Sequence, residues 1–205
     1  MNNTQLLITF TRNPELGKVK TRLAKTIGDQ LALKTYEELM RHTAKTIKKF
    51  NCDKAIYYSE AIIKDDIWTD EYATKHLQTG IDLGSRMATA FEQGFKDGYQ
   101  NIIIVGSDLF DLKTNHISEA FQKLSKSDIV IGPALDGGYY LLGMKTLHKS
   151  VFLNKNWGTS TVYKDTLKDI EHLNLSHIET LNDIDTYEDL ISNKKLKKRI
   201  LENDK

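Results

Sequence analysis

A chain of 205 residues with a formal net charge of +1, 40% hydrophobic and 28% charged residues has ordinary globular composition and enough length for one domain with a full core. The near-neutral balance argues against a general nucleic-acid- or membrane-binding surface. The single cysteine, Cys52, cannot form an intrachain disulfide and fits a reducing compartment, while the apolar start at 6–10 is too short for a signal peptide or a membrane span. The expectation is a cytoplasmic protein, one domain over 1–205, with no linker and no repeat.

Residues 6–11 form the first strand candidate. The segment from Arg12 to Lys25 follows, with Pro14 and Gly17 marking a loop and with five basic residues: Arg12, Lys18, Lys20, Arg22 and Lys25. A helix is expected to start within or just after this segment. A strand, a glycine loop, cations and a helix in that order suit an anion such as phosphate. Neither GxxxxGK[ST] nor GxGxxG is present. Position directly after a strand favours phosphate binding over a merely solvated basic helix face.

Residues 29–50 read as an amphipathic helix, with Leu31, Tyr36, Leu39, Met40, Thr43, Ile47 and Phe50 at helical spacing. A strand at 54–58, an irregular acidic stretch and a short strand ending at 76–78 come next. Gln78-Thr-Gly80-Ile-Asp82-Leu-Gly84-Ser-Arg86 then leads into a helix expected over 85–97. Taken alone this is a glycine-rich turn with Arg86 exposed. Ile102, Ile103, Ile104 and Val105 form an unbroken β-branched run, as in a strand buried on both faces. Gly106, Ser107, Asp108 and Asp111 follow it. A carboxylate just past a central strand is where open α/β sheets bind ligands, and Asp108 could equally cap the next turn.

A helix is expected over 114–125 and a strand over 128–133. Asp136-Gly137-Gly138 is a hairpin turn signal before a strand at 140–144, and paired glycines also let backbone approach a ligand. A helix opening at 157–160 with a Ser or Thr cap and reaching about 172, a strand at 176–181, and a short helix capped by Asp185 or Thr186 complete the body. The basic tail from 194 should be a solvated helix that docks through Leu196, Ile200 and Leu201. Alternating strands and helices imply an α/β fold with a mostly parallel sheet. The six histidines are scattered, so no zinc site is indicated.

Five motifs in order carry a family resemblance: Arg12-x-Pro14-x-x-Gly17-x-x-Lys20-Thr21-Arg22-Leu23; Gln78-x-Gly80-x-Asp82-Leu83-Gly84-x-Arg86-Met87; Gly106-Ser107-Asp108; Gly132-Pro133-x-x-Asp136-Gly137-Gly138-Tyr139-Tyr140-Leu141; and Asp183-x-Asp185-Thr186-x-x-Asp189-Leu190. Together they resemble the bacterial DUF2064 proteins, glycosyltransferase-like members of the nucleotide-diphospho-sugar transferase (GT-A) superfamily. Guanylyltransferases and molybdenum-cofactor nucleotidyltransferases are more distant relatives. The chain departs from the family's usual pattern at Phe110, where a proline is common, and at Arg12, where lysine is usual.

The resemblance implies a single-domain GT-A three-layer sandwich and a metal-dependent transferase using a nucleotide-activated donor. The first expectation is glycosyl transfer from a nucleotide-sugar to a small-molecule acceptor. In that reading Arg12, Lys20 and Arg22 hold the diphosphate, and Gly17, Gln78, Gly80 and Arg86 complete the nucleotide site. Asp108 binds Mg²⁺ or Mn²⁺, with Asp111 a weaker ligand and Asp183 or Asp185 completing the set. Asp136 is a general base or orients a hydroxyl, and Gly137 and Gly138 give the acceptor close access. The alternatives are nucleotidyl transfer from a nucleoside triphosphate, releasing pyrophosphate, and a nucleotide-binding module without turnover.

Overall fold

A computed structural model describes residues 4–202. Its centre is a seven-stranded sheet of order β3-β2-β1-β4-β6-β5-β7. The strands are β1 (Gln5–Thr11), β2 (Asp53–Tyr58), β3 (Thr74–Leu77), β4 (Asn101–Gly106), β5 (Ile129–Pro133), β6 (Tyr139–Met144) and β7 (Leu175–His177). Parallel pairing joins β3 to β2, β2 to β1, β1 to β4 and β5 to β7, whereas β6 runs antiparallel to both β4 and β5. The expected α/β three-layer architecture is therefore present, and the Asp136-Gly137-Gly138 turn makes the β5–β6 hairpin.

The two faces of the sheet are both covered. Ile103 and Val105 point to one face, where α2 (Asp29–Lys48) and α4 (Thr114–Leu124) pack Tyr36, Met40, Ile117 and Phe121. Ile102 and Ile104 point to the other, against Met87 and Phe91 of α3 (Leu83–Lys96) and against Phe152. All four residues of the β4 run are buried, as a strand with two packed faces requires. Burying each such side chain contributes roughly 2 kcal/mol relative to leaving it in water.

Helix α1 (Thr21–Ile27) is short because Gly28, at φ 82°, ends it and turns the chain into α2. The helix expected to open at 157 is confined to α5 (Val162–Asp169). Residues 157–161 are a turn instead: Gly158 takes φ 82°, and Thr161 at the N-cap position makes no side-chain cap. The last strand is three residues long, and the Ile178 N–H to Ile131 carbonyl bond and a lone bridge, Ala134 to Leu181, continue its path.

At the C-terminal end, α6 (Tyr187–Ser192), α7 (Lys194–Lys197) and a final wide turn at Lys198–Glu202 dock on the body. Leu190, Leu196 and Ile200 are buried against Leu23, Leu39, Ile184 and Phe110. Phe110 thus acts as an anchor where the family commonly has proline. Its ring lies 5.0 Å from that of His42, and the Arg199 guanidinium sits 5.6 Å from its centroid. Phe110→Ala should cost about 3 kcal/mol in urea unfolding, because it empties the socket beneath the C-terminal helices. A loss under about 0.5 kcal/mol would show that this anchor is dispensable.

Candidate active site

From β1 the chain passes next to β2 on one side of the sheet, and β4 lies on β1's other side, so the order reverses between β1 and β4. Open α/β sheets bind ligands in the crevice beyond such a point. Here that crevice is a cavity of about 450 Å³, lined among others by Arg12, Lys18, Glu60, Gln78, Arg86 and Asp108. A second cavity of about 200 Å³ adjoins it and shares Arg12, Tyr36 and Asp108, adding Lys20, Arg22 and Asp185.

Lys20 connects the parts. Its side chain is 4% exposed, and its ammonium donates to Asp108 Oδ2 at 2.8 Å and to Asp185 Oδ1 at 2.7 Å. Burial works against the charge, but the two carboxylates outweigh it and hold the Lys20 pKa above the ordinary lysine range. The backbone at Lys20 is left-handed, φ 46° and ψ 43°, a conformation that costs a non-glycine residue of order 1 kcal/mol and more. Asp108 is also pressed upward by burial, yet Lys20 and then Arg12 pull its pKa below the usual carboxylate value. Arg22 stands 4.0 Å from Asp185 with most of its side chain in solvent.

The first loop is fixed by residues that composition and spacing do not single out. The Tyr36 hydroxyl accepts the Arg12 N–H at 2.8 Å and lies 3.0 Å from Ser107 Oγ. Asn13 donates to the Ala61 carbonyl at 2.8 Å and accepts the N–H groups of Glu60 and Ala61. Tyr36 reads from sequence as one more position on an apolar helix face, and Asn13 as a loop residue. Nothing local announces that their polar ends join β1 to β4 and to β2.

On the opposite wall, Gln78 gives both hydrogens of its amide to backbone, to Tyr57 O at 2.9 Å and Thr11 O at 3.2 Å. Its Nε2 is therefore engaged, and Oε1 is the end left for a ligand. Gly80, at φ 146°, has no room for a side chain: a Cβ would meet Ser85 Oγ at 2.5 Å. Asp82 caps α3 through Ser85, and the Gly80 carbonyl accepts from Arg86 Nε at 3.1 Å, so this motif builds the helix entry that aims Arg86 at the cavity. Gly17 takes φ 76° in the first loop and lines neither cavity.

The acidic residues divide into two groups. Asp183 has one carboxylate oxygen, Oδ1, buried with no hydrogen-bond partner among the described residues. Burial first, and then the charges of Asp108, Asp136 and Asp185, push its pKa up to about 7. The charges of the other three carboxylates are thus felt at Asp183. Asp111 is not joined to them by any contact: it accepts from Asn193 Nδ2 at 3.4 Å, at the start of α7. Asp136 folds back on its own turn, accepting the Gly138 N–H at 2.8 Å. Gly137, at φ 90°, is close-packed, and a Cβ there would lie 2.2 Å from the Ser160 carbonyl. The close approach that this glycine permits is thus taken up by backbone, which corrects the expectation that it opens a path to the acceptor.

The fit of a divalent cation can be tested on this cluster. Hard carboxylate oxygens, one of them orphaned and destabilised by its neighbours, are the kind of donor that Mg²⁺ or Mn²⁺ takes, but among the described residues no group of three or more His, Cys, Asp or Glu side chains is arranged to hold a metal ion unaided. Lys20 already neutralises part of the charge, so the set suits one ion shared with a ligand's phosphate oxygens better than an all-protein cage.

The chain was compared with known proteins. The model of the family described as "Uncharacterized protein conserved in bacteria (DUF2064)" matches residues 42–159. No curated protein matches the sequence. Among solved structures, a candidate nucleotide-diphospho-sugar transferase from Desulfovibrio desulfuricans G20 is 30% identical, with a TM-score of 0.88 over 97% of this chain and 91% of that one. The 4-diphosphocytidyl-2C-methyl-D-erythritol synthase of Anaerococcus prevotii aligns at a TM-score of 0.61 with 10% identity, over 95% and 97% of the two chains. A cytidylyltransferase from Leptospira borgpetersenii aligns at 0.58 with 13% identity, over 98% and 95%. The last two show a shared fold.

The raised pKa of Asp183 has a stability consequence. Because the folded state favours the protonated form, this group is harmless below its unfolded value of 3.8 and increasingly costly as pH rises toward about 7. In metal-free buffer Asp183→Asn should raise the melting temperature more at pH 8 than at pH 5. Equal shifts at both pH values would show that the charge is not what the fold resists.

Proposed function

This chain belongs to the DUF2064 family, and from that premise we propose that it is a transferase using a nucleotide-activated donor, moving a sugar from a nucleotide-diphospho-sugar to a small acceptor. The observation that carries the reading is the cavity at the β1–β4 switch, with Arg12, Lys18 and Arg86 lining it and the Lys20–Asp108–Asp185 triad lining the cavity that adjoins it at Asp108. Cations on both walls suit a diphosphate, and the carboxylates beside them suit the reacting centre. The 30% identity to the Desulfovibrio protein supports the same class.

In this reading Arg12 grips phosphate through a planar guanidinium, which matches two oxygens at once. Lys18 and Arg86 add charge from the two sides of the cavity. Gln78 Oε1 faces the nucleoside end as a fixed acceptor. Asp108 and Asp183 would hold Mg²⁺ or Mn²⁺, with Asp185 in support, and the ion would offset the charge that develops on the departing diphosphate. Lys20 holds Asp108 and Asp185 in place and favours the ionised form of Asp108. Asp136 lies on the acceptor side of this cluster, where its carboxylate can take a proton from an attacking hydroxyl.

A second reading is nucleotidyl transfer. The adjoining cavity of about 200 Å³ beside Arg12, Lys20 and Arg22 favours it, because it offers room and charge for a longer phosphate chain. The shared fold of the cytidylyltransferase supports it in outline.

A thermal-shift series separates them. UDP-, GDP-, ADP- and dTDP-sugars and the nucleoside triphosphates are added with and without Mn²⁺, since a ligand selective for the native state raises the melting point. The expected outcome is a Mn²⁺-dependent rise with one nucleotide-diphospho-sugar that Arg12→Ala weakens by about tenfold in affinity, or 1.4 kcal/mol. Asp108→Asn should remove the Mn²⁺-dependent part. A rise with triphosphates alone would select the second reading, and no rise with any of them would overturn both.

A further inference from the structure

The segment at 153–161 is exposed at most positions, carries no assigned role, and is held at three points. Lys155, buried, donates to Asp169 and to the Leu153 carbonyl at 3.1 Å. The Trp157 indole lies on Gly84 so closely that a Cβ there would meet it at 2.5 Å. The Ser160 carbonyl is seated on Gly137, whose own carbonyl accepts the Tyr163 N–H at 2.9 Å. Tyr139 meets the Trp157 ring edge-on, with centroids 6.4 Å apart. Glycines in two separate motifs therefore serve one purpose: they admit this loop.

Its place follows from those contacts. Gly84 opens α3, whose Leu83 and Arg86 line the nucleotide cavity. Gly137 adjoins Asp136, whose charge is felt at Asp183. The loop thus spans from Gly84, at the start of the helix whose Arg86 lines the donor cavity, to the Asp136-Gly137 turn of the β5–β6 hairpin. What it presents there is neutral and hydroxylated. Asn156, Thr159, Ser160 and Thr161 are exposed, with Thr159 Oγ1 held by the Asn156 carbonyl at 2.7 Å and lying 3.1 Å from Thr161 Oγ1. The one cation between residues 153 and 161, Lys155, is committed to Asp169.

The geometry points to the 156–161 loop as the acceptor-recognition element, and to a neutral polyhydroxylated molecule, not a phosphorylated one, as the acceptor. This rests on the transferase reading above and narrows it. A phosphate acceptor brought beside Asp136 and Asp183 would meet like charge and no unpaired cation from this loop, whereas a polyol finds carboxylate and hydroxyl partners. Asp136 Oδ1 is fixed by the Gly138 N–H, which leaves Oδ2 for the acceptor. In the step so arranged, the acceptor oxygen forms a bond to the anomeric carbon. The bond from that carbon to the diphosphate oxygen breaks, the nucleoside diphosphate leaves with the electron pair, and the acceptor's proton passes to Asp136.

The test measures release of nucleoside diphosphate from the sugar donor that binds, with Mn²⁺ present. The acceptors offered are glucose, mannose, myo-inositol and glycerol, against glucose 6-phosphate and glycerol 3-phosphate. At least one neutral polyol should accelerate release more than either phosphate ester. The double substitution Thr159→Ala, Ser160→Ala, at exposed positions, should raise the half-saturating polyol concentration about tenfold, with a smaller effect on the saturated rate. Faster release with a phosphate ester, no acceleration by any polyol, or an unchanged half-saturating concentration in the double variant would overturn the proposal. Direct titration of the donor keeps the two readings apart: if no nucleotide-sugar binds, the transferase reading fails, and if one binds while the acceptor results go the wrong way, only the acceptor assignment fails.

Discussion

The site depends on one ammonium group. Lys20 is held between Asp108 and Asp185, residues that come from the first loop, the end of the central strand and the chain's last quarter. None of those three segments neighbours another in sequence. Remove the cation and two carboxylates face each other, with Asp183 close enough to be affected by both. An arrangement of this kind adds little net stability, since desolvation offsets much of the Coulomb gain. It contributes placement: the lysine fixes which carboxylate oxygens point at the cavity and which are spent. The left-handed backbone at Lys20 is the local cost of that placement.

The rest of the fold can be understood as the means of bringing those segments together. The β1–β4 pairing sets the ends of two parallel strands side by side, so that the loop after one and the aspartate after the other share a crevice. Tyr36 then ties the loop to Ser107, and Asn13 ties it to the end of β2. On the far side, Asp189 accepts the backbone N–H groups of Asp185 and Thr186 and the side chains of Asn182 and Thr186. That loop is thereby moulded so that Asp183 and Asp185 face inward. The C-terminal helices hold it in turn by closing over Phe110.

Much of this was legible in the sequence because the signals were local. The β-branched run at 102–105 could only be a strand with two buried faces, and Asp108 followed from its end. The Asp136 hairpin and the Thr186 cap were likewise written in neighbouring residues, and the five motifs pointed to the family that the comparisons then supplied. What stayed hidden was non-local. Whether Gly137 leaves space for a ligand or for another stretch of backbone depends on where Ser160 lies, and no property of the Asp-Gly-Gly tripeptide encodes that. The same holds for Asp111, which shares a strand end with Asp108 yet faces α7. The helix expected from 157 starts only at Val162, after Gly158 at φ 82° and a Trp157 that packs on distant Gly84.

The Lys20–Asp185 contact spans 165 positions of the chain. The pairings of β1 with β2 and β4, and of β2 with β3, by contrast involve only residues up to 106. Without residue 185, Lys20 has one of its two partners missing, and the strained loop that carries it lacks half of its support. The Lys20 site is therefore complete only once residues 20, 108 and 185 are all in place. A chain broken before residue 183 would keep Lys20 and Asp108 but lose Asp183, Asp185 and the cluster of Leu190, Leu196 and Ile200 that closes over Phe110.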